Sequence, residues 1–272
     1  MRVALASIAV CAAGAGGWQS GPPLPVARTE VAAAVAGREI VIAGGYLADG
    51  STTARVDLYD PVRRRWRAGP GEPTRTAIRL DHSVWRPLPP LPGRRAAAAA
   101  AALQGTLYVV GGVTDGGLAR SMLVYDTRRK RWARLPGPTP RQHLAAAAAH
   151  GRIYAIAGRT AGADTNVDTV ESWAPGERRW RAERAVPERR GGTGAATVAG
   201  LVVSVGSEAP NGTSGAAYAF DVRKGAWRRL PDLPTPRHGL GVVAFGRSVI
   251  AIGGGPQPGL TVTGANESLS IG

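Results

Sequence analysis

A tryptophan recurs along the chain at a nearly fixed interval, and this period limits the possible folds more than any other feature. The regular steps between these tryptophans are 47 or 48 residues long. The period is marked by Trp18, Trp66, Trp132, Trp180 and Trp227. A supersecondary unit of this length cannot bury its apolar face alone, so successive units must stack on one another.

Each unit has the same internal order. After the tryptophan comes a proline-containing link that ends in an arginine, here called the leading arginine of the unit: Arg28, Arg95, Arg141, Arg190 and Arg237. Two apolar runs of four to eight residues follow, separated by a turn, and runs of this length bounded by turns predict buried strands. The alanine run at 96–102 has high helix propensity, but its place in the repeat favours a strand.

The second apolar run ends at glycine, as in Gly44-Gly45, and a third strand then carries an aromatic residue seven positions before the next tryptophan, as in Tyr59 and Trp66. This order resembles the kelch motif and is repeated along essentially the whole chain after residue 17. The resemblance implies an all-β kelch-type β-propeller with four strands per blade. It is closest in kind to the bacterial, exported kelch-repeat proteins, which usually close as six blades.

The period is broken at one place, because Trp66 and Trp85 are only 19 residues apart and about 28 residues of a unit are absent. The favoured arrangement has six blade positions with the second blade incomplete, and the alternative has five blades plus an extra hairpin. The predicted units are residues 28–66, a partial unit 67–85, 95–132, 141–180, 190–227 and 237–272. The last unit has no tryptophan, so residues 16–20 are expected to supply its outer strand and close the ring.

Residues 1–15 have the order of a secretory leader: a basic start, a short apolar run and Ala13-Gly14-Ala15 as a cleavage site. We therefore expect a mature propeller of residues 16–272 in an extracytoplasmic or secreted location, with a cytoplasmic location as the alternative. The run is too short to span a bilayer. Cys11, the single cysteine, permits no disulfide within the chain and could carry a lipid anchor.

The formal net charge is +15, and nearly all of it comes from arginine. Runs such as Arg63-Arg64-Arg65 are expected in turns on one face of the ring. Charge alone would attract anionic partners. No recognised nucleic-acid module accompanies it, so solvated turns are favoured over nucleic-acid binding.

The opposite face should carry the long, dissimilar loops between second and third strands, where binding residues concentrate on a rigid scaffold. The leading arginines lie at the inner edge of this loop face, and so do two histidines. If these side chains point into the central funnel, they could bind a carboxylate or phosphate. The candidate ligand-binding residues are Arg28, Arg95, Arg141, His143, Arg190, Arg237 and His238. The alternative is that the arginines only tie the blades together.

The sequence favours a non-catalytic binding or scaffolding propeller whose loops meet a protein or an anionic glycan. Kelch copper oxidases that resemble galactose oxidase need a tyrosine cross-linked to cysteine, and Cys11 lies in the leader. The alternative is a sugar-acid isomerase resembling the periplasmic sialic-acid mutarotase, with acid and base groups such as Glu30, Glu208 or Glu267. We assign no catalytic residue, no cofactor and no metal. The run 164–168 begins like a calcium loop but lacks its glycine and its glutamate.

Overall fold

Five four-stranded antiparallel sheets and two two-stranded hairpins make up the computed structural model. The structure describes residues 16–69, 78–81 and 84–272. The expected leader, residues 1–15 with Cys11, lies outside the described residues. Within them the single helical element is a short 3-10 turn, Ala163–Thr165. None of their helices is long and apolar enough to cross a membrane.

The sheets are blades, numbered along the chain. Before blade 1 comes β1 (Gln19–Ser20). Blade 1 consists of β2 (Ala32–Ala36), β3 (Glu39–Ala43), β4 (Val56–Asp60) and β5 (Arg65–Ala68). The hairpin that follows consists of β6 (Ile78–Asp81) and β7 (Val84–Pro87). Blade 2 consists of β8 (Ala99–Leu103), β9 (Thr106–Val110), β12 (Ser121–Asp126) and β13 (Arg131–Pro136), with a small hairpin of β10 (Val113–Thr114) and β11 (Gly117–Leu118) in its loop.

The remaining blades follow the same plan. Blade 3 consists of β14 (Ala145–Ala149), β15 (Arg152–Ile156), β16 (Val170–Trp173) and β17 (Arg181–Ala182). Blade 4 consists of β18 (Gly194–Val198), β19 (Leu201–Ala209), β20 (Gly212–Asp221) and β21 (Ala226–Leu230). Blade 5 consists of β22 (Gly241–Phe245), β23 (Ser248–Ile252), β24 (Asn266–Ser270) and, from the other end of the chain, β1.

The fold is therefore the all-β propeller that the repeat predicts. Of the two arrangements expected, the structure shows five blades with a separate hairpin. The alanine run at 96–102 contributes a strand, β8, because the repeat places it against blade 3 and tertiary packing overrides helix propensity.

The N-terminal strand closes blade 5, as expected. Gln19 pairs with Ser268 and Ser20 with Glu267 in antiparallel register. The Trp18 indole donates a hydrogen bond to the Pro231 carbonyl at 2.8 Å and packs on the core between blades 4 and 5. The two ends of the chain are thus joined within one sheet.

The periodic tryptophans share one role. Each lies on an outer strand and donates its indole N–H to a carbonyl of the link that leads into its blade. The acceptors of the other four are Pro22 for Trp66, Pro89 for Trp132, Pro136 for Trp180 and Arg184 for Trp227, at 2.8 to 3.0 Å. The aromatic residue seven positions earlier is the cross-strand neighbour, as in Tyr59 and Trp66, whose ring centroids are 4.7 Å apart.

Backbone hydrogen bonds also join successive blades. The amide of the residue after the second strand donates to the carbonyl of the next leading arginine: Gly112 to Arg141, Gly158 to Arg190, Ser207 to Arg237 and Gly254 to Arg28, at 2.8 to 3.1 Å. At Gly112 the φ is +88° and a Cβ would lie 2.4 Å from the Ala96 carbonyl oxygen, so only glycine fits this contact.

We predict that blade 5 needs β1. A chain lacking residues 2–20 should unfold at a clearly lower temperature than a chain lacking residues 2–15, because it loses the β1–β24 pairing and the Trp18 packing. Thermal unfolding followed by circular dichroism measures the difference. Equal midpoints for the two deletions would contradict the closure described here.

Candidate functional site

The leading arginines are buried inside their own blades. Arg28, Arg190 and Arg237 are fully buried, and Arg141 is 1% exposed. Arg141 donates to the carbonyls of Ala157 and Ala155 at 2.6 and 3.1 Å and also pairs with the Glu171 carboxylate. Arg237 makes the same set in blade 5, with Gly253, Ala251 and Glu267. Each guanidinium therefore joins the second strand of its blade to the third.

The other three leading arginines make fewer bonds of the same kind. Arg28 pairs with the buried carboxylate of Asp57 at 2.8 Å. Arg190 donates to the Ser204 hydroxyl at 3.0 Å and the Ala216 carbonyl at 3.2 Å. Arg95 donates to the carbonyls of Gly111 and Ser121 at 2.7 and 3.0 Å. Burial lowers the pKa of all five guanidinium groups.

The structure therefore does not bring the five arginines together in the central funnel. Their bonds to carbonyls and carboxylates of their own blades match the alternative stated above, in which they tie the blade. A ligand-binding role for them has no support in these contacts and stays a prediction.

The two predicted histidines do meet near the axis, with partners that the sequence did not single out as a group. His238 Nδ1 lies 3.6 Å from Glu30 Oε1, and its Nε2 lies 3.5 Å from Glu208 Oε2. Glu208 Oε1 accepts a hydrogen bond from Arg159 Nη1 at 2.5 Å. We call Glu30, His143, Arg159, Glu208 and His238 the axial cluster; its members come from blades 1, 3, 4 and 5.

Local backbone geometry explains how Glu30 and His143 reach the axis. Both stand two residues after a leading arginine, with φ of 53° and 50°. Blades 4 and 5 have Gly192 and Gly239 at this position, with φ of 66° and 58°. The left-handed conformation favours glycine, so a side chain here is retained against a local cost. Glu30 and His143 both line the cavity at the axis, whose volume is about 740 Å³.

The charges of the axial cluster depend on its burial. Burial opposes the protonated form of His238, but the nearby carboxylates of Glu30 and Glu208 outweigh it and raise its pKa above 6.5. Burial lowers the pKa of His143 below 6.5 and favours its neutral form. Burial would also raise the pKa of Glu30, but His238, His143 and Arg159 lower it, so Glu30 remains a carboxylate.

The axial cluster could have been found from the repeat itself. Aligning the units on the leading arginine places Glu30, Ala97, His143, Gly192 and Gly239 in one column. A charged or imidazole side chain in a column that otherwise holds glycine or alanine is the signal. Arg159 and Glu208 carry no such signal, because they lie in loop segments whose lengths differ between blades.

Long segments between second and third strands surround the axial cluster and form the predicted loop face. Blade 4 extends this segment as a ribbon, since β19 and β20 continue through a paired Ala209 and Gly212. In blade 3 the loop is held by side-chain bonds, with the Thr165 hydroxyl donating to the Gly162 carbonyl at 2.7 Å. Across the described residues no set of three or more His, Cys, Asp and Glu side chains is placed to hold a metal ion.

The kelch motif is matched at residues 27–71 and 94–139, which contain blade 1 and blade 2. The chain is a kelch-repeat β-propeller. The kelch propeller is 27% identical over 265 residues to "Kelch-like protein terF" of Aspergillus terreus, covering 91% of this chain and 54% of that protein. It is 25% identical over 241 residues to "Kelch-like protein 25" of Xenopus tropicalis, covering 85% of this chain and 37% of that protein. The kelch propeller thus spans about half, or less, of the relatives' own length.

We predict that the leading arginines stabilise the fold. R237M should lower the free energy of unfolding by about 3–5 kcal/mol, because it leaves the Glu267 carboxylate buried without its partner. The R237M/E267Q double variant should recover part of this loss. Urea unfolding followed by tryptophan fluorescence measures it, with R63M as the control, since Arg63 forms an exposed pair with Asp60. A loss in R237M no larger than in R63M would refute a structural role.

We also predict a pH dependence from His238. Its folded pKa is raised, so the stabilisation it provides is complete below its unfolded pKa and disappears as the pH rises through the folded value. The difference in unfolding free energy between the wild type and H238N should therefore be largest near about pH 6 and shrink towards about pH 9. His143, with its lowered pKa, works in the opposite direction, and subtracting the two proteins removes its contribution. The control is H150N, at an exposed histidine; a difference that stays constant with pH would exclude the effect.

Proposed function

We propose that this kelch propeller is a non-catalytic binding protein that contacts a protein partner through its loop face. The observation that carries the proposal is the contrast within each blade. The strands and leading arginines repeat the same contacts, whereas the loops differ in length, conformation and content. Variable loops on a rigid scaffold are the usual location of binding residues.

The axial cluster supports binding over catalysis. Glu30, His238, Glu208 and Arg159 engage one another in a chain of contacts across four blades. A general acid or base must have its proton within reach of a substrate. Here the carboxylates hold His238 in place, and they orient the surrounding loops: the Glu208 carboxylate accepts a hydrogen bond from the Gly259 amide at 3.3 Å.

One exposed apolar side chain marks the loop face. Leu260, in the blade 5 loop, is 53% exposed, and a Cβ at Gly50 in the blade 1 loop would lie 3.9 Å from it. Exposed apolar side chains at the junction of two loops are typical anchors of protein interfaces. On the opposite face, Val62 is 75% exposed in an arginine-rich turn.

The finer expectations stay predictions. Nothing in the relatives' names concerns an anionic glycan or a sugar-acid isomerase. The extracytoplasmic location, the lipid anchor at Cys11 and the likeness to bacterial exported kelch proteins depend on residues 1–15 and remain open in the same way. The relatives reported above come from a fungus and a frog.

We predict that L260D weakens partner capture and that V62D does not. Affinity capture with the wild-type chain and the two variants, quantified by mass spectrometry, should show proteins retained by wild type and V62D but lost with L260D, because a carboxylate cannot be buried in an apolar contact without cost. Equal capture by all three proteins would contradict binding through the loop face. Selective retention of sialic or uronic acid glycans on an array would favour the glycan alternative.

A further inference from the structure

The hydrogen bonds that link the blades are missing at one junction, between blades 1 and 2, which we call the seam. Elsewhere the amide two residues after the leading arginine donates to its counterpart in the preceding blade: His143 to Ala97, Gly192 to His143 and Gly239 to Gly192, at 2.8 to 2.9 Å. Blade 1 continues the series through Val31, which donates to Gly239 at 3.3 Å. Glu30 and Ala97, both described, share no such bond. Gly45 and Arg95 likewise lack the glycine-to-arginine bond of the other four junctions.

The packing of the inner strands shows the same interruption. The pairs β8 and β14, β14 and β18, β18 and β22, and β22 and β2 pack side by side, whereas β2 and β8 do not pack to this extent. Each of the four intact junctions also has its own hydrophobic cluster. Within the described residues the face of blade 1 towards the seam has only a small cluster of its own, Val41, Val56 and Leu58.

The open region is confined to the inner strands. Ala32, Ala34 and Ala36 of β2 are exposed, and so are Ala100 and Ala102 of β8. Alanines of the corresponding strand β14 are buried instead. Further from the axis both faces of the seam are covered: Leu58 on blade 1 is 2% exposed, and Leu123 on blade 2 is 1% exposed.

The repeat shows what is missing at this position. The seam lies where the partial unit of residues 67–85 interrupts the period. That unit supplies the hairpin β6–β7, whose seven-residue offset between Ile78 and Trp85 identifies it as a third and fourth strand. In complete blades the third strand pairs with a second strand, as β4 pairs with β3. In the described residues β6 pairs only with β7, so one edge of β6 has no strand beside it.

We propose that the seam accepts a β-hairpin from another protein, which supplies the absent first and second strands of a sixth blade. The alanine walls of β2 and β8 leave room for large aliphatic side chains, the free edge of β6 offers strand pairing, and Gly45 and Arg95 offer unused backbone groups. Addition of strands to an open sheet edge is an established mode of recognition. The fitting partner is a hairpin in which aliphatic residues face both neighbouring blades.

The chain itself contains a suitable probe. Residues 237–254 carry a leading arginine, β22, β23 and the terminal glycine pair, which is the module that the seam lacks. A fluorescent peptide of residues 237–254 should bind the full-length chain saturably in an anisotropy titration, whereas a scrambled peptide should not. A34E and A100E should weaken binding by roughly tenfold or more, because each buries a carboxylate without a partner.

The control variant is A182E, at an exposed alanine of β17 in blade 3. Circular dichroism checks that A34E and A100E fold, which their exposed positions favour. Absent binding, or equal binding to A34E and A182E, would overturn the proposal. A wild-type chain that self-associates in sedimentation experiments, with A34E monomeric, would also overturn it by making the seam an interface between copies. L260D leaves the seam unchanged, so peptide binding by L260D tests this site independently of the loop face.

Discussion

The buried guanidinium of the leading arginine is the interaction on which the blades depend. Its best-formed examples, Arg141 and Arg237, join the link before the first strand, the end of the second strand and a carboxylate on the third. A charge buried this deeply is tolerated only where its hydrogen bonds are nearly all satisfied. The planar fork of arginine meets that demand, whereas lysine would present a single point of charge.

The five blades do not meet this demand equally. The third strand supplies a carboxylate in blades 1, 3 and 5, as Asp57, Glu171 and Glu267. At the corresponding position β12 has Met122, and there Arg95 bonds to carbonyls only. Arg95 Nε is buried without a hydrogen-bond partner, whereas Nε of Arg141 and of Arg237 is bonded. Blade 2, which borders the seam, thus has the less completely bonded arginine.

The sequence predicts the blades well because their contacts are periodic. The strands, the indole pairs and the closure by residues 16–20 all follow from the spacing of the tryptophans. The number of blades does not follow from it, because ring closure depends on how the faces of residues 32–36 and 99–103 pack, and a spacing does not report packing. The direction of the arginine side chains was also beyond the pattern, since the same spacing fits a side chain turned towards the axis or into the blade.

The axial cluster shows the same limit. Glu30 and His143 occupy one column of the repeat, and their left-handed φ values carry both towards the axis. Arg159 and Glu208 join them from loops that have no common register, so only the assembled ring reveals their contact. His238 lies between the carboxylates of Glu30 and Glu208 and so connects blade 5 to blades 1 and 4 by charge as well as by backbone bonds. The loop-face end of the ring is therefore braced along the arc from blade 3 through blade 5 to blade 1, while the seam, at the other end of this arc, has neither the backbone bonds nor the buried inner strands. The propeller is accordingly expected to be stiffest around His238 and most open to change between β2 and β8, because local stability follows buried contacts and satisfied hydrogen bonds.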